Sequence, residues 1–152
     1  MRKILFLDID GVVNNKDSHK KWQHRGVTGI DPELAFLVGK IQLNTNCEVV
    51  LSSSWRGHEE NHKHIKQQVV DFIDITPHSN TGIRGVEIHQ WLCKNVEKFY
   101  SSQYTSKNDL RIAILDDDSD MLLWQKDVFF QTSWETGITQ EIADAVTAHL
   151  NS

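Results

Sequence analysis

A chain of 152 residues suits one domain spanning residues 1–152, because at that size folding buries roughly 70% of the surface of the unfolded chain and no disulfide or metal staple is needed. The two cysteines, Cys47 and Cys93, match no zinc or redox spacing, which excludes a disulfide scaffold and fits a reducing compartment. A formal net charge of −5 excludes a general polyanion binder, so any nucleic-acid affinity has to come from a local basic patch.

The first predicted element, Ile4 to Leu7 within KILFLDIDGVV, is a short continuous apolar run, the pattern of a strand buried on both faces. It stops at Asp8, so it is neither a signal segment nor the ~20 apolar residues of a membrane span, and the location expected is cytoplasmic. Two carboxylates, Asp8 and Asp10, follow at once, and Gly11 lets the backbone turn. The next segment, NKDSHKKWQHR (Asn15 to Arg25), sets Lys16, Lys20, Lys21 and Arg25 against Asp17, with Trp22 interleaved. DPELAFLVGKIQLN predicts a helix with Asp31 as N-cap and Pro32 at its first position, and Leu34, Leu37, Val38 and Ile41 on one face.

CEVVLSS is the second predicted strand, ending in Ser52-Ser53-Ser54 with Arg56 just beyond. A polar helix over HEENHKHIKQQVVDF, with Ile65, Val69 and Phe72 inward, leads to a short third strand in FIDIT. Ile88, Trp91, Leu92, Val96 and Phe99 recur at spacings of three and four, which predicts a helix from Arg84 to Phe99. The polar loop YSSQYTSKND precedes a fourth buried strand, LRIAIL, that runs into Asp116-Asp117-Asp118. A helical turn around Met121 to Trp124, a fifth strand in VFFQTS, and a final helix capped by Thr139 and carrying Ile142, Val146 and Leu150 complete the chain.

Alternation of strand and helix predicts the α/β class: an open, mostly parallel, Rossmann-like sheet with helices on both faces. Ligands of such sheets bind beyond the carboxyl ends of the strands. That rule gathers Asp8 and Asp10, the three serines, and the acidic run Asp116 to Asp120 into one crevice. Carboxylates so crowded raise each other's pKa unless a cation neutralises them, and hard oxygen donors at this density point to Mg²⁺.

Asp8-Ile9-Asp10-Gly11-Val12 after a strand, a Ser at the end of strand two and Asp116-Asp117 after strand four resemble the first, second and fourth motifs of the haloacid dehalogenase superfamily. The second motif falls best on Ser53, with Ser52 and Ser54 as alternatives in register. LSSSWR, IRGVEIHQWL and TSWETGIT resemble the small subgroup of that superfamily found among RNA-repair proteins. The resemblance implies that Asp8 is a nucleophile forming an aspartyl-phosphate, that Asp10 is the general acid and then base, and that Asp8, Asp10, Asp116 and Asp117 hold Mg²⁺. The third-motif Lys of the family has no clean match; Arg84 is the first candidate for its role and Lys94 the second. Gly11, Ser54 and Arg56 are expected around the substrate phosphate.

Only 20 positions separate Gly11 from Asp31, too few for an inserted cap domain, and an uncapped site is open to large substrates. Lys20, Lys21, Trp22 and Arg25 are expected to flank its entrance, where cations and an aromatic ring suit a single-stranded end. The expected function is that of a Mg²⁺-dependent phosphomonoesterase acting on nucleic-acid 3′-phosphate ends or on nucleotides. Phosphatase activity on small metabolites or phosphoproteins is the alternative, and a non-catalytic phosphate or nucleic-acid binding module the alternative of another class. HEENH, His58 to His62, fits the zinc pattern H-E-x-x-H, but its polar surroundings predict an exposed helix instead.

Overall fold

A computed structural model describes residues 1–23, 29–96 and 110–152, apart from the side chains of Trp22 and Gln23. Arg25, Phe99 and the loop YSSQYTSKND fall outside the described residues. Strands β1 (Arg2–Leu7), β2 (Glu48–Leu51), β3 (Asp74–Ile75), β4 (Leu110–Asp116) and β5 (Phe129–Gln131) form one sheet in the order β3-β2-β1-β4-β5. Every neighbouring pair is parallel, so the mostly parallel sheet expected from the sequence is wholly parallel. β1 lies at its centre, with Leu7 opposite Leu51 on one side and Leu115 on the other.

The unbroken apolar character of β1 follows from that position. Successive side chains alternate between faces. Leu5 and Leu7 pack with Val49, Leu51, Ala113 and Leu115 against α2 (Pro32–Thr45) and α5 (Gln140–Asn151), with Ile65 of α3 (Glu59–Gln68) joining them. Ile4 and Phe6 face the other way with Val50, Ile112 and Ile114, onto Ile88, Trp91 and Leu92 of α4 (Arg84–Asn95). Phe6 and Trp91 meet edge to face at 5.5 Å between centroids. Each such side chain, fully buried, contributes on the order of 1.5–3 kcal/mol.

The helix starts match the expected chemistry: Asp31 accepts from the Glu33 amide at 2.9 Å, and Thr139 from the Ile142 amide at 3.3 Å. Two boundaries differ. Helix α4 stops at Asn95, not Phe99, because Val96 is already extended (φ −117°, ψ 115°) and Arg2 donates to the Asn95 carbonyl at 3.1 Å, satisfying an orphan of the helix end. The turn expected around Met121 is a 3₁₀ segment at Leu123–Val128, held by buried Gln125, which accepts from the Leu122 amide at 2.7 Å and donates to the Gly85 carbonyl at 2.9 Å.

Between Gly11 and Asp31 the described residues form turns and the six-residue helix α1 (Ser18–Gln23), which lies within the basic segment Asn15 to Arg25. Between β2 and β4 they form a 3₁₀ turn (Ser54–Gly57), α3, β3 and α4. No separate cap domain stands among the described residues, and none of their helices is long and apolar enough to cross a membrane.

Candidate active site

Because the strands are parallel, their carboxyl ends share one edge, and main-chain bonds carry the registry one step beyond it. The Asp8 amide donates to Leu115 O at 3.0 Å, Ser52 to Leu7 O at 2.9 Å, and Thr132 to Asp116 O at 2.9 Å. Asp8, Ser53 and Asp116 are therefore delivered side by side from three strands.

One carboxylate oxygen each from Asp8, Asp116 and Asp117 lies within 4.8 Å of the others. Asp8 and Asp116 are buried, and this dominates their titration. Burial pushes Asp8 up to about 6, opposed by the Arg84 guanidinium, the Ile9 amide and the Ser53 hydroxyl, with the Asp117 charge adding to the rise. Burial and then the Asp8 charge push Asp116 up to about 8, against the Asp118 amide and Arg84. Asp117 is also raised, first by burial. Asp116 Oδ2 is buried with no hydrogen-bond partner. Such a set of crowded, under-satisfied hard oxygens fits a divalent cation of the Mg²⁺ kind, with Asp8, Asp116 and Asp117 as the residues that would hold it.

The Asp10 carboxylate is not in this trio. Alternation along an extended strand would have put it on the same face as Asp8, but the chain turns too early: the amides of Val12 and Val13 both donate to Ile9 O, at 3.1 and 3.0 Å. The Asp10 oxygens are instead held by Trp55 Nε1 and Asn14 Nδ2, each donating at 2.9 Å. Its charge still reaches Asp117. Gly11 makes the turn possible, since its φ is +76° and a Cβ there would overlap the Asp117 carboxylate. Its amide donates to Asn14 Oδ1 at 2.9 Å and its carbonyl accepts from the Thr132 hydroxyl at 2.6 Å.

Of the three serines, buried Ser53 bonds to Asp8 and also accepts from the Trp55 amide at 3.3 Å. Ser52 Oγ is buried without a partner, and Ser54 is exposed. Arg84, at the first turn of α4, stands with Nε 3.3 Å from Asp116 Oδ2 and a terminal nitrogen 3.4 Å from Glu87 Oε2. Lys94, ten residues further and so about 15 Å away by helical rise, is exposed beside Asn95 at the opposite edge of the sheet.

Arg56, expected at the phosphate, is only 5% exposed and is engaged within the protein. It donates to Glu87 Oε2 at 2.7 Å, to Ser53 O at 2.9 Å and to His78 Nδ1 at 3.1 Å. Asp120 lies outside the trio: its Oδ2 accepts from the Arg84 amide at 2.7 Å, capping α4. Lys20 and Lys21 are exposed on α1; the Trp22 side chain and Arg25 lie outside the described residues. Within the zinc pattern, His62 Nε2 donates to Arg56 O at 2.7 Å and so carries the proton, which takes that nitrogen out of metal ligation while the bond holds.

The residues that sequence reasoning missed are Asn14, Glu87 and His78, together with the Asp10 contact of Trp55. Glu87 alone left a trace, as a charged residue beside Ile88 on the inward face of a predicted amphipathic helix. Residues 4–143 match the family described as the HAD domain in Swiss Army Knife RNA repair proteins. No curated protein and no solved structure matches the chain.

Proposed function

The chain belongs to the family of HAD domains in Swiss Army Knife RNA repair proteins, a phosphatase-type hydrolase family, and from that premise we propose that it is a Mg²⁺-dependent phosphomonoesterase working through an aspartyl-phosphate. Its proposed substrates are nucleic-acid 3′-phosphate ends or nucleotides, in the cytoplasm. The observation that carries the reading is the trio Asp8, Asp116 and Asp117 within 4.8 Å, faced by the Arg84 guanidinium at 3.3 Å from Asp116.

In this reading an Asp8 oxygen attacks phosphorus and the bond to the ester oxygen breaks, while Asp10 gives its proton to the departing alkoxide. A water molecule then attacks the acyl phosphate, returns a proton to Asp10, and frees Asp8 and inorganic phosphate. Ser53 and the Ile9 amide fix the Asp8 carboxylate; Trp55 and Asn14 orient Asp10. Arg84, held loosely between two carboxylates, takes the role of the missing third-motif lysine and meets the phosphate oxygens as a fork of donors. Bound Mg²⁺ would supply positive charge at the transferring phosphoryl group.

The nucleic-acid preference is supported by the family description, by the open crevice, and by the exposed Lys20 and Lys21 on the helix that follows the Asp8 turn. Trp22 and Arg25 belong to the same proposed entrance. The test is Mg²⁺-dependent phosphate release from 3′-phosphorylated oligonucleotide, 5′-phosphorylated oligonucleotide and sugar phosphates, with acid-quench trapping of an acyl phosphate. The 3′-phosphorylated end is expected to be fastest. Asp8→Asn is expected to lower the rate by about 10³-fold or more with the fold intact, on the scale of losing a catalytic group. Wild-type turnover in that variant would remove the proposed nucleophile.

A further inference from the structure

Beside the trio, and sharing Arg84 with it, lies a cavity of about 280 Å³. Its wall holds Arg56 and Arg84 against Glu87, Asp118 and Asp120, with Ser54, Gly82 and His78 completing the lining. Two guanidiniums against three carboxylates leave a slightly negative lining, which disfavours a second phosphate. The lining offers a nucleobase no ring but the His78 imidazole to stack on, which disfavours a base in this cavity. A neutral group rich in hydroxyls remains, able to donate and accept at once.

The polar atoms are arranged for such a group. Arginine only donates, so the 3.1 Å contact from Arg56 makes His78 Nδ1 an acceptor and puts the proton of the neutral ring on Nε2, a donor. Asp120 Oδ1 is buried with no hydrogen-bond partner, a state that costs free energy until a donor arrives. Exposed Asp118 offers a further carboxylate, one oxygen of which accepts from the Ser119 amide at 2.9 Å. Glu87 ties Arg56 and Arg84 to one another and fixes the wall. The volume lies at the bottom of the range of small-molecule sites, about 300–1,000 Å³, and admits one sugar ring but not an oligomer.

We infer that this cavity is the subsite for the sugar of the leaving group, a ribose-type ring whose hydroxyls meet His78 Nε2–H and the carboxylates of Asp118 and Asp120. The inference rests on the phosphatase reading, because it seats the ester phosphate at the trio. It adds that a free hydroxyl next to the scissile phosphate is recognised, so ribose is favoured over deoxyribose.

The experiment is calorimetric titration of the full-length Asp8→Asn protein in Mg²⁺ with adenosine 3′-monophosphate and with 2′-deoxyadenosine 3′-monophosphate, repeated with His78→Ala and with Asp118→Ala added. The ribonucleotide is expected to bind about fivefold tighter, the worth of one hydrogen bond, and the ratio to fall toward one in both added variants. Equal affinities, or a ratio that survives both substitutions, overturn the subsite. Hydrolysis of phenyl phosphate by the unaltered protein separates the two readings. If phenyl phosphate is cleaved while the two nucleotides bind alike, the sugar site falls and the phosphatase stands; if no ester is cleaved while the ribose preference and its loss are seen, the phosphatase falls and the sugar site stands.

Discussion

On the β2 side of the crevice the charges are matched. Arg56 meets Glu87, the Ser53 carbonyl and His78 at 2.7, 2.9 and 3.1 Å, and burial, though it pulls the guanidinium below the usual arginine range, is opposed by Glu87. On the β4 side they are not. Asp8, Asp116 and Asp117 crowd together with raised pKa values, and Arg84 stands off at 3.3 and 3.4 Å from Asp116 and Glu87. Two arginines in neighbouring turns thus have opposite characters. Arg56, with both terminal nitrogens engaged though its buried Nε has no partner, is held in place; Arg84, with longer contacts, is the one that the proposed reaction needs to change partners at the transferring phosphate.

The sharpest way to break that contrast is to remove Glu87. Glu87→Ala leaves Arg56 buried without its carboxylate, which costs about 3–5 kcal/mol and lowers the melting temperature by on the order of 10 °C at this chain length. Arg84→Ala is expected to do the reverse: turnover falls by about 10²-fold, roughly 2.7 kcal/mol of transition-state stabilisation, while melting shifts little. A larger loss of melting temperature from Arg84→Ala than from Glu87→Ala would erase the distinction.

Acidity sharpens the same comparison. The carboxyls of Asp8 and Asp116, raised to about 6 and about 8 from the ordinary 3.8 of an aspartate, bind protons more tightly in the folded chain than in the unfolded one. Their contribution to stability in the metal-free protein is therefore fully present below about pH 4 and is lost as pH rises through about 6 and then about 8. In the proposed function Mg²⁺ takes the same oxygens, so its affinity is expected to rise, and its stabilising shift in melting temperature to grow, from pH 5 to pH 8. A Mg²⁺ shift that is flat across that range would count against the trio as its site. The smallest effect belongs to the H-E-x-x-H pattern. His58 is exposed before α3, and His58→Ala is expected to change stability by about 0.5 kcal/mol or less and phosphate release not at all; loss of activity there would reopen the zinc reading.

Much of the frame was written locally. Apolar runs bounded by polar turns, Asp31-Pro32 and Thr139 as helix starts, and carboxylates placed just past strands one and four depend on residues close in sequence, and local sterics and hydrogen bonding settle them. Asp10 shows where that reach ends. Its spacing from Asp8 is strand-like, yet two amides folding back on Ile9 O put it in a turn, where Trp55, 45 positions away, completes its coordination. Arg56 beside the serines reads as a phosphate ligand, and only the fold reveals that Glu87, 31 positions on, pairs with it.

By itself, then, the sequence determined the α/β alternation, the acids at the strand ends and the family they resemble, because each is a pattern within one element or one turn. Tertiary structure decided which carboxylates form the trio, that Arg84 and not Lys94 faces it, and that Asp120 caps a helix while His78 borders a cavity. The physical reason is that these choices depend on distances between strands and helices joined by long crossovers, and burial then sets the charge of every group brought together.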